Sequence, residues 1–119
     1  MFELAFFAGG AQVLDLVPDV LERYAAILNS MGNPKRLEVL LLLTQTEWSV
    51  GELAIKVELS QSALSQHLGK LRAERLVVTR RDRQTVYYSC VSRDVHQILS
   101  ALEELNGVSR SQAESRVAR

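Results

Sequence analysis

From residue 17 the apolar positions recur every three or four residues. Val17, Val20, Leu21, Tyr24, Ile27, Leu28 and Met31 share one stripe and predict an amphipathic helix that Gly32 ends. Asn33-Pro34 opens the next helix, Asn as the cap and Pro in a first turn that needs no N–H from it. Residues 37–43, Leu-Glu-Val-Leu-Leu-Leu-Leu, are apolar on most sides and predict a helix buried on most sides. Ser49 caps a short third helix, with Glu52 completing a capping box and Ala54 and Val57 on its inner side. After Val57-Glu58-Leu59, Ser60 caps a fourth helix running to about Glu74, its apolar side formed by Leu64, Leu68 and Leu71.

The period then changes to that of a strand. Val77-Val78-Thr79 and Thr85-Val86-Tyr87-Tyr88 are β-branched and aromatic and flank the charged tip Arg80-Arg81-Asp82-Arg83-Gln84, which predicts a hairpin. After Ser92, Val95, Ile98, Leu99, Leu102 and Leu105 return to helical spacing until Asn106-Gly107. The expected fold class is mainly α with a small β-hairpin, in the order α-α-α-α-β-β-α. One domain is expected over residues 17–107. It is preceded by an arm, residues 1–16, with Phe2, Leu4, Phe6 and Phe7 before Gly9-Gly10, and followed by a polar tail from residue 108 to 119.

Two short helices joined by three residues form a helix-turn-helix, whose second helix in DNA-binding proteins lies in the major groove. Opposite the leucine stripe of the fourth helix stand Ser62, Ser65, Gln66, Gly69 and Ala73, with Gln61 at its start. Gln pairs with an adenine edge through both donor and acceptor, and Ser serves several bases. Lys70 and Arg72 flank this face, placed for phosphates, which fix register without reading sequence. Arg80, Arg81 and Arg83 on the hairpin suit a minor groove, and helix-turn-helix plus basic hairpin make a winged helix.

Composition first points elsewhere. The chain of 119 residues is 47% hydrophobic and 24% charged, with 14 basic and 14 acidic residues and a formal net charge of zero. DNA-binding domains usually carry a basic excess. The zero conceals a polarity: residues 1–59 sum to −4 and residues 60–119 to +4, so the excess falls on the elements assigned to DNA. The single cysteine, Cys90, excludes an internal disulfide framework and fits the cytoplasm. Glu3 sits where a secretory signal carries a basic residue, and no apolar run is long enough to cross a membrane.

The stretch Asn33-Pro34-Lys35-Arg36-Leu37, then Ser60-Gln61-Ser62-Ala63-Leu64-Ser65-Gln66-His67-Leu68, Lys70-Leu71-Arg72, Arg80-Arg81-Asp82 and Val86-Tyr87-Tyr88-Ser89 resembles the ArsR/SmtB-type winged-helix repressors, in particular their rhizobial NolR-like branch. The resemblance spans residues 24 to 103. It implies a homodimeric transcriptional repressor on a palindromic promoter operator of double-stranded DNA, cytoplasmic and nucleoid-associated when bound. It implies base reading by Gln61, Ser62, Ser65 and Gln66, and backbone or wing contacts by Ser60, His67, Lys70, Arg72, Arg80, Arg81, Arg83, Gln84 and Thr85. Dimerisation is expected through the apolar stripes of the first and last helices: Val17, Val20, Leu21, Tyr24, Leu28, Val95, Ile98, Leu99 and Leu102. Two features depart from the family. Glu58 stands where many relatives carry Gly, at a conformation costing a non-glycine about 1 kcal/mol, and the wing tip lacks a glycine.

No cofactor, metal, membrane or catalytic role is expected. A thiolate pair leading into the third helix would need cysteines where Ser49 and Gly51 stand. Asp94-Val95-His96 begins a last-helix metal pattern that Gly107 and Arg110 cannot complete, and zinc needs about four ligands. Asp94 is better explained by the helix dipole, and Cys90 as a small buried residue. Ser65 and His67, two apart on a helix, do not face each other. Two other readings fit the same pattern: a ligand- or redox-responsive sensor of this family that releases DNA on binding an effector the sequence does not name, and a winged helix used for protein contact.

Overall fold

A computed structural model describes residues 18–107; the arm, Val17 and the polar tail lie outside the described residues. Five helices and three short strands follow in order: α1 Pro18–Met31, α2 Pro34–Leu43, β1 Trp48–Ser49, α3 Val50–Lys56, α4 Gln61–Ala73, β2 Val78–Asp82, β3 Thr85–Ser89 and α5 Arg93–Leu105. The caps form where side-chain chemistry places them. Asn33 accepts from the backbone N–H of Lys35 and Arg36 at 2.9 and 3.1 Å, and Ser60 and Ser92 accept from Ala63 and Val95. Ser49 accepts from the Glu52 N–H, but Glu52 answers through its carboxylate to the Ser49 hydroxyl, so the capping box is closed on one side only.

Helices α3 and α4 both end in a Schellman turn. Glu58 and Arg75 take φ of 58° and 60°, and the N–H groups of Leu59 and Leu76 reach back to the carbonyls of Ala54 and Leu71. The turn with Glu58 therefore keeps the left-handed conformation expected there, with a side chain in place of glycine. The strain is accepted because Leu59 and Leu76, the next residues, are drawn against the core.

That core is assembled from all five helices. Leu40, Leu43, Leu53, Val57, Leu64, Leu68, Leu71 and Val95 are buried essentially completely, joined by Ile27, Met31, Val77 and Leu99. The sheet has three strands, not two. β1, two residues long, pairs with β3 antiparallel (Trp48 with Tyr88, Ser49 with Tyr87), giving the order β1-β3-β2. The hairpin also differs from expectation. Ladder pairing continues from Val78 opposite Ser89 to Asp82 opposite Thr85, so the five-residue tip shrinks to a two-residue turn, Arg83-Gln84. Arg83 supplies the positive φ, 59°, that such a turn between twisted strands requires.

Candidate nucleic-acid interface

Burial of Leu64, Leu68 and Leu71 fixes the rotation of α4 about its axis. Ser62, Ser65, Gln66, Gly69 and Ala73 are therefore presented to solvent, flanked by exposed Lys70 and Arg72. Among the described residues no side-chain hydrogen bond engages Ser65 or Gln66, while the Ser62 hydroxyl lies 3.4 Å from that of its neighbour Ser60. Gln61 leans toward α3: a Cβ on Gly51 would lie 3.7 Å from its Nε2. It helps line a cleft of about 350 Å³ between the start of α4 and the wing, together with Ser49, Gly51, Gln84 and Thr85. Of the base-reading candidates, Gln61 thus adjoins the wing residues Gln84 and Thr85 across this cleft.

His67 is held differently from its neighbours. Its Nδ1 lies 3.3 Å from Arg36 Nη1, and the same guanidinium donates to the backbone oxygens of Ser30 and Asn29 at the end of α1. Burial first, then the positive charges of Arg36 and Lys70, hold His67 below the usual imidazole value. A guanidinium only donates, so Nδ1 accepts and the ring proton sits on Nε2. His67 therefore ties α4 to Arg36 of α2 with one nitrogen, Arg36 carries the tie on to α1, and one ring donor stays spare. Lys35 makes a parallel tie, donating to the carbonyl of Val57 at the end of α3.

The two-residue alternation of the hairpin separates its arginines. Trp48 and Tyr88 pack against the core, so their face of the sheet is the inner one. Arg81, opposite Val86, is on that face, whereas Arg80, opposite Tyr87, is on the outer face. Arg80 lies over the Tyr87 ring, 4.5 Å from its centroid, and its Nε is 3.0 Å from both carboxylate oxygens of Glu47. The hydrogen bond from Arg80 holds the Glu47 carboxyl below its ordinary value. Arg81, Arg83, Gln84 and Thr85 are exposed, and neither Arg81 nor Arg83 has an ion-pair partner among the described residues.

The interface candidates on the outer helices also divide. Val95 and Leu99 are consumed by the chain's own core, Val20 and Ile98 are half-buried, and Leu21, Tyr24, Leu28 and Leu102 are exposed. Tyr24, Ile27 and Leu28 of α1 face Asp94, Gln97, Ile98 and Ala101 of α5 across a groove of about 420 Å³. Cys90 is buried, which pushes its thiol up and keeps it protonated. His96 turns its Nε2 to the Cys90 carbonyl at 3.2 Å, and among the described residues no three His, Cys, Asp or Glu side chains gather as a metal site.

Glu47, Lys35 and Arg36 are the residues whose roles sequence reasoning missed. Arg36 stood within a motif, but its partners are carbonyls and a ring on other helices, which leave no local pattern.

Residues 33–79 match the family described as bacterial regulatory proteins of the arsR family. The nodulation protein NolR of Rhizobium meliloti is 59% identical over 83 residues, 70% of this chain and 68% of its own length. The transcriptional activator HlyU of Vibrio cholerae is 48% identical over 79 residues, covering 66% of this chain and 73% of that relative. The crystal structure of NolR from Sinorhizobium fredii superposes with a TM-score of 0.74 at 55% identity, over 79% of this chain and 97% of that one. A homodimeric winged helix-turn-helix DNA-binding domain from Mycobacterium bovis, solved by NMR, gives a TM-score of 0.68 at 26% identity, over 75% and 82% of the two chains.

Proposed function

This chain belongs to the arsR family of bacterial regulatory proteins, and on that premise we propose that it is a transcriptional repressor that binds a palindromic promoter operator as a homodimer. The reading rests on one observation above all. α4 offers Ser62, Ser65 and Gln66 on a face that the buried leucines hold outward, with Gln61 at its exposed start. A neutral, hydrogen-bonding surface of this kind recognises base edges, and Lys70, Arg72, Arg81 and Arg83 around it neutralise phosphates. Ser60, His67 Nε2, Gln84 and Thr85 complete the backbone contacts at its margins. Two copies joined through Leu21, Tyr24, Leu28 and Leu102 would set two such helices one turn of DNA, or a multiple, apart. The homodimeric neighbour from Mycobacterium bovis supports that assembly. The protein acts in the cytoplasm, on the nucleoid when bound, and neither metal nor cofactor enters the reading.

The test is fluorescence anisotropy of the purified protein on duplexes from its own upstream region and on random duplexes, at several salt concentrations. Gln66→Ala and Gln61→Ala are each expected to cost about 1–3 kcal/mol on the operator and to relax discrimination at one base step per half-site. Equal weakening on operator and random DNA would remove these residues from base reading.

A further inference from the structure

The family resemblance groups Arg80 with the DNA-contacting arginines, but the fold gives it another occupation. Its guanidinium crosses β3, stacks on Tyr87 and meets both carboxylate oxygens of Glu47, a residue of the α2–β1 connection 33 positions earlier in the chain. β2 is the outermost strand of the sheet. β3 is tied to the helical body by its ladder to β1 and by the hydrogen bond from the Cys90 N–H to the Leu43 carbonyl, but β2 pairs with β3 alone, so backbone pairing reaches the outer strand only at second hand. β1 is anchored to that body through Trp48 packed on the core and through Ser49, the cap of α3. A bidentate carboxylate–guanidinium pair between the β1 side and β2 is therefore a strap across the sheet. It has the directional geometry that a Lys would lack.

We propose that Glu47 is a positioning residue for DNA binding. It holds Arg80 as the strap that sets the pose of the wing, so that Arg81 and Arg83 meet DNA while Arg80 does not. The inference rests on the DNA-binding function proposed above. Both partners are solvent-exposed, so the pair adds little to overall stability, and its effect is expected in the pose of the hairpin.

Glu47→Gln, Arg80→Gln and the double variant would be compared with the wild-type full chain on operator and random duplexes across a salt series, with thermal unfolding alongside. Removing a carboxylate alone favours binding to a polyanion, so a loss in Glu47→Gln reports the lost hold on Arg80. The expected result is a roughly fivefold loss of operator affinity in each single variant and no further loss in the double variant, as a coupled pair requires. The slope of log K against log salt should stay within about half a unit of wild type in Arg80→Gln, because that guanidinium releases no counterion. Unfolding midpoints should stay unchanged. Tighter binding by Glu47→Gln, or a slope lower by about one in Arg80→Gln, would make Arg80 a phosphate contact masked by Glu47 and overturn the proposal. Unchanged affinity in both variants, or losses that track a fall in midpoint, would overturn it equally. A wild-type protein without salt-dependent DNA binding would instead defeat the functional reading beneath it.

Discussion

Among the described residues, Gly107 is the one glycine at a left-handed φ, 69°. Three positions adopt a left-handed φ with side chains attached: Glu58, Arg75 and Arg83. Gly69, in contrast, occupies the interior of α4 with ordinary helical geometry, where glycine weakens a helix by about 1 kcal/mol relative to alanine. Nothing among the described residues explains it, since a Cβ there would meet no atom of theirs within 4 Å. It lies on the face that carries Ser62, Ser65 and Gln66, where a missing side chain allows a partner to come close. Gly69→Ala is therefore expected to raise stability by about 1 kcal/mol in urea unfolding while weakening operator binding. A variant more stable and equally tight on DNA would leave the glycine without a role in docking.

At the scale of elements, the hairpin is where charge becomes useful. Arg83 sits in the turn, exposed and without an ion-pair partner among the described residues. Arg83→Ala should weaken binding to operator and random DNA alike and lower the salt slope by about one, because one fewer counterion is released. An unchanged slope would remove Arg83 from the DNA surface. The contrast with Arg80 also marks what a sequence can reveal. The helices were legible because their signals are local: a leucine every three or four residues, and Asn33, Ser49, Ser60 and Ser92 each bonding a backbone N–H within three positions. The outward face of α4 followed directly from its leucine stripe. β1 was not legible, because two residues carry no period and its pairing partners, Tyr87 and Tyr88, lie some forty positions later. The strands extend through Arg80–Asp82 because the opposite strand pairs with them, against the low strand preference of Asp. Which arginine is free was equally hidden, being decided by the distant Glu47.

For the molecule as a whole, five of the nine large apolar residues exposed among the described residues lie on α1 and α5, while Leu41, Ile55, Val78 and Val91 are scattered elsewhere. Leu21 is 54% exposed, Tyr24 52%, Leu28 59% and Leu102 43%, all on the two outer helices, and Leu105 at the end of α5 reaches 83%. Scattered exposed leucines are ordinary, but a contiguous set on α1 and α5 beside an apolar groove needs a cover. On the proposed reading a second copy would supply one, since a two-fold pairing sets the same stripe against itself. Such a pairing would also turn the charge polarity to use: the acidic first half of the chain and the basic second half would favour one approach to DNA, and pairing would double that bias. Leu28→Glu puts two carboxylates at such a seam without touching the chain's own core, because Leu28 is not buried in it. The variant is expected to sediment as a folded monomer at micromolar concentration, with the wild-type protein a dimer. Its operator affinity should fall by about 10²-fold or more, because each half-site is then bound without the effective concentration that linkage provides. A folded monomer that keeps wild-type operator affinity would show that the half-sites are read independently. A persistent dimer would move the two-fold axis to another face of the molecule.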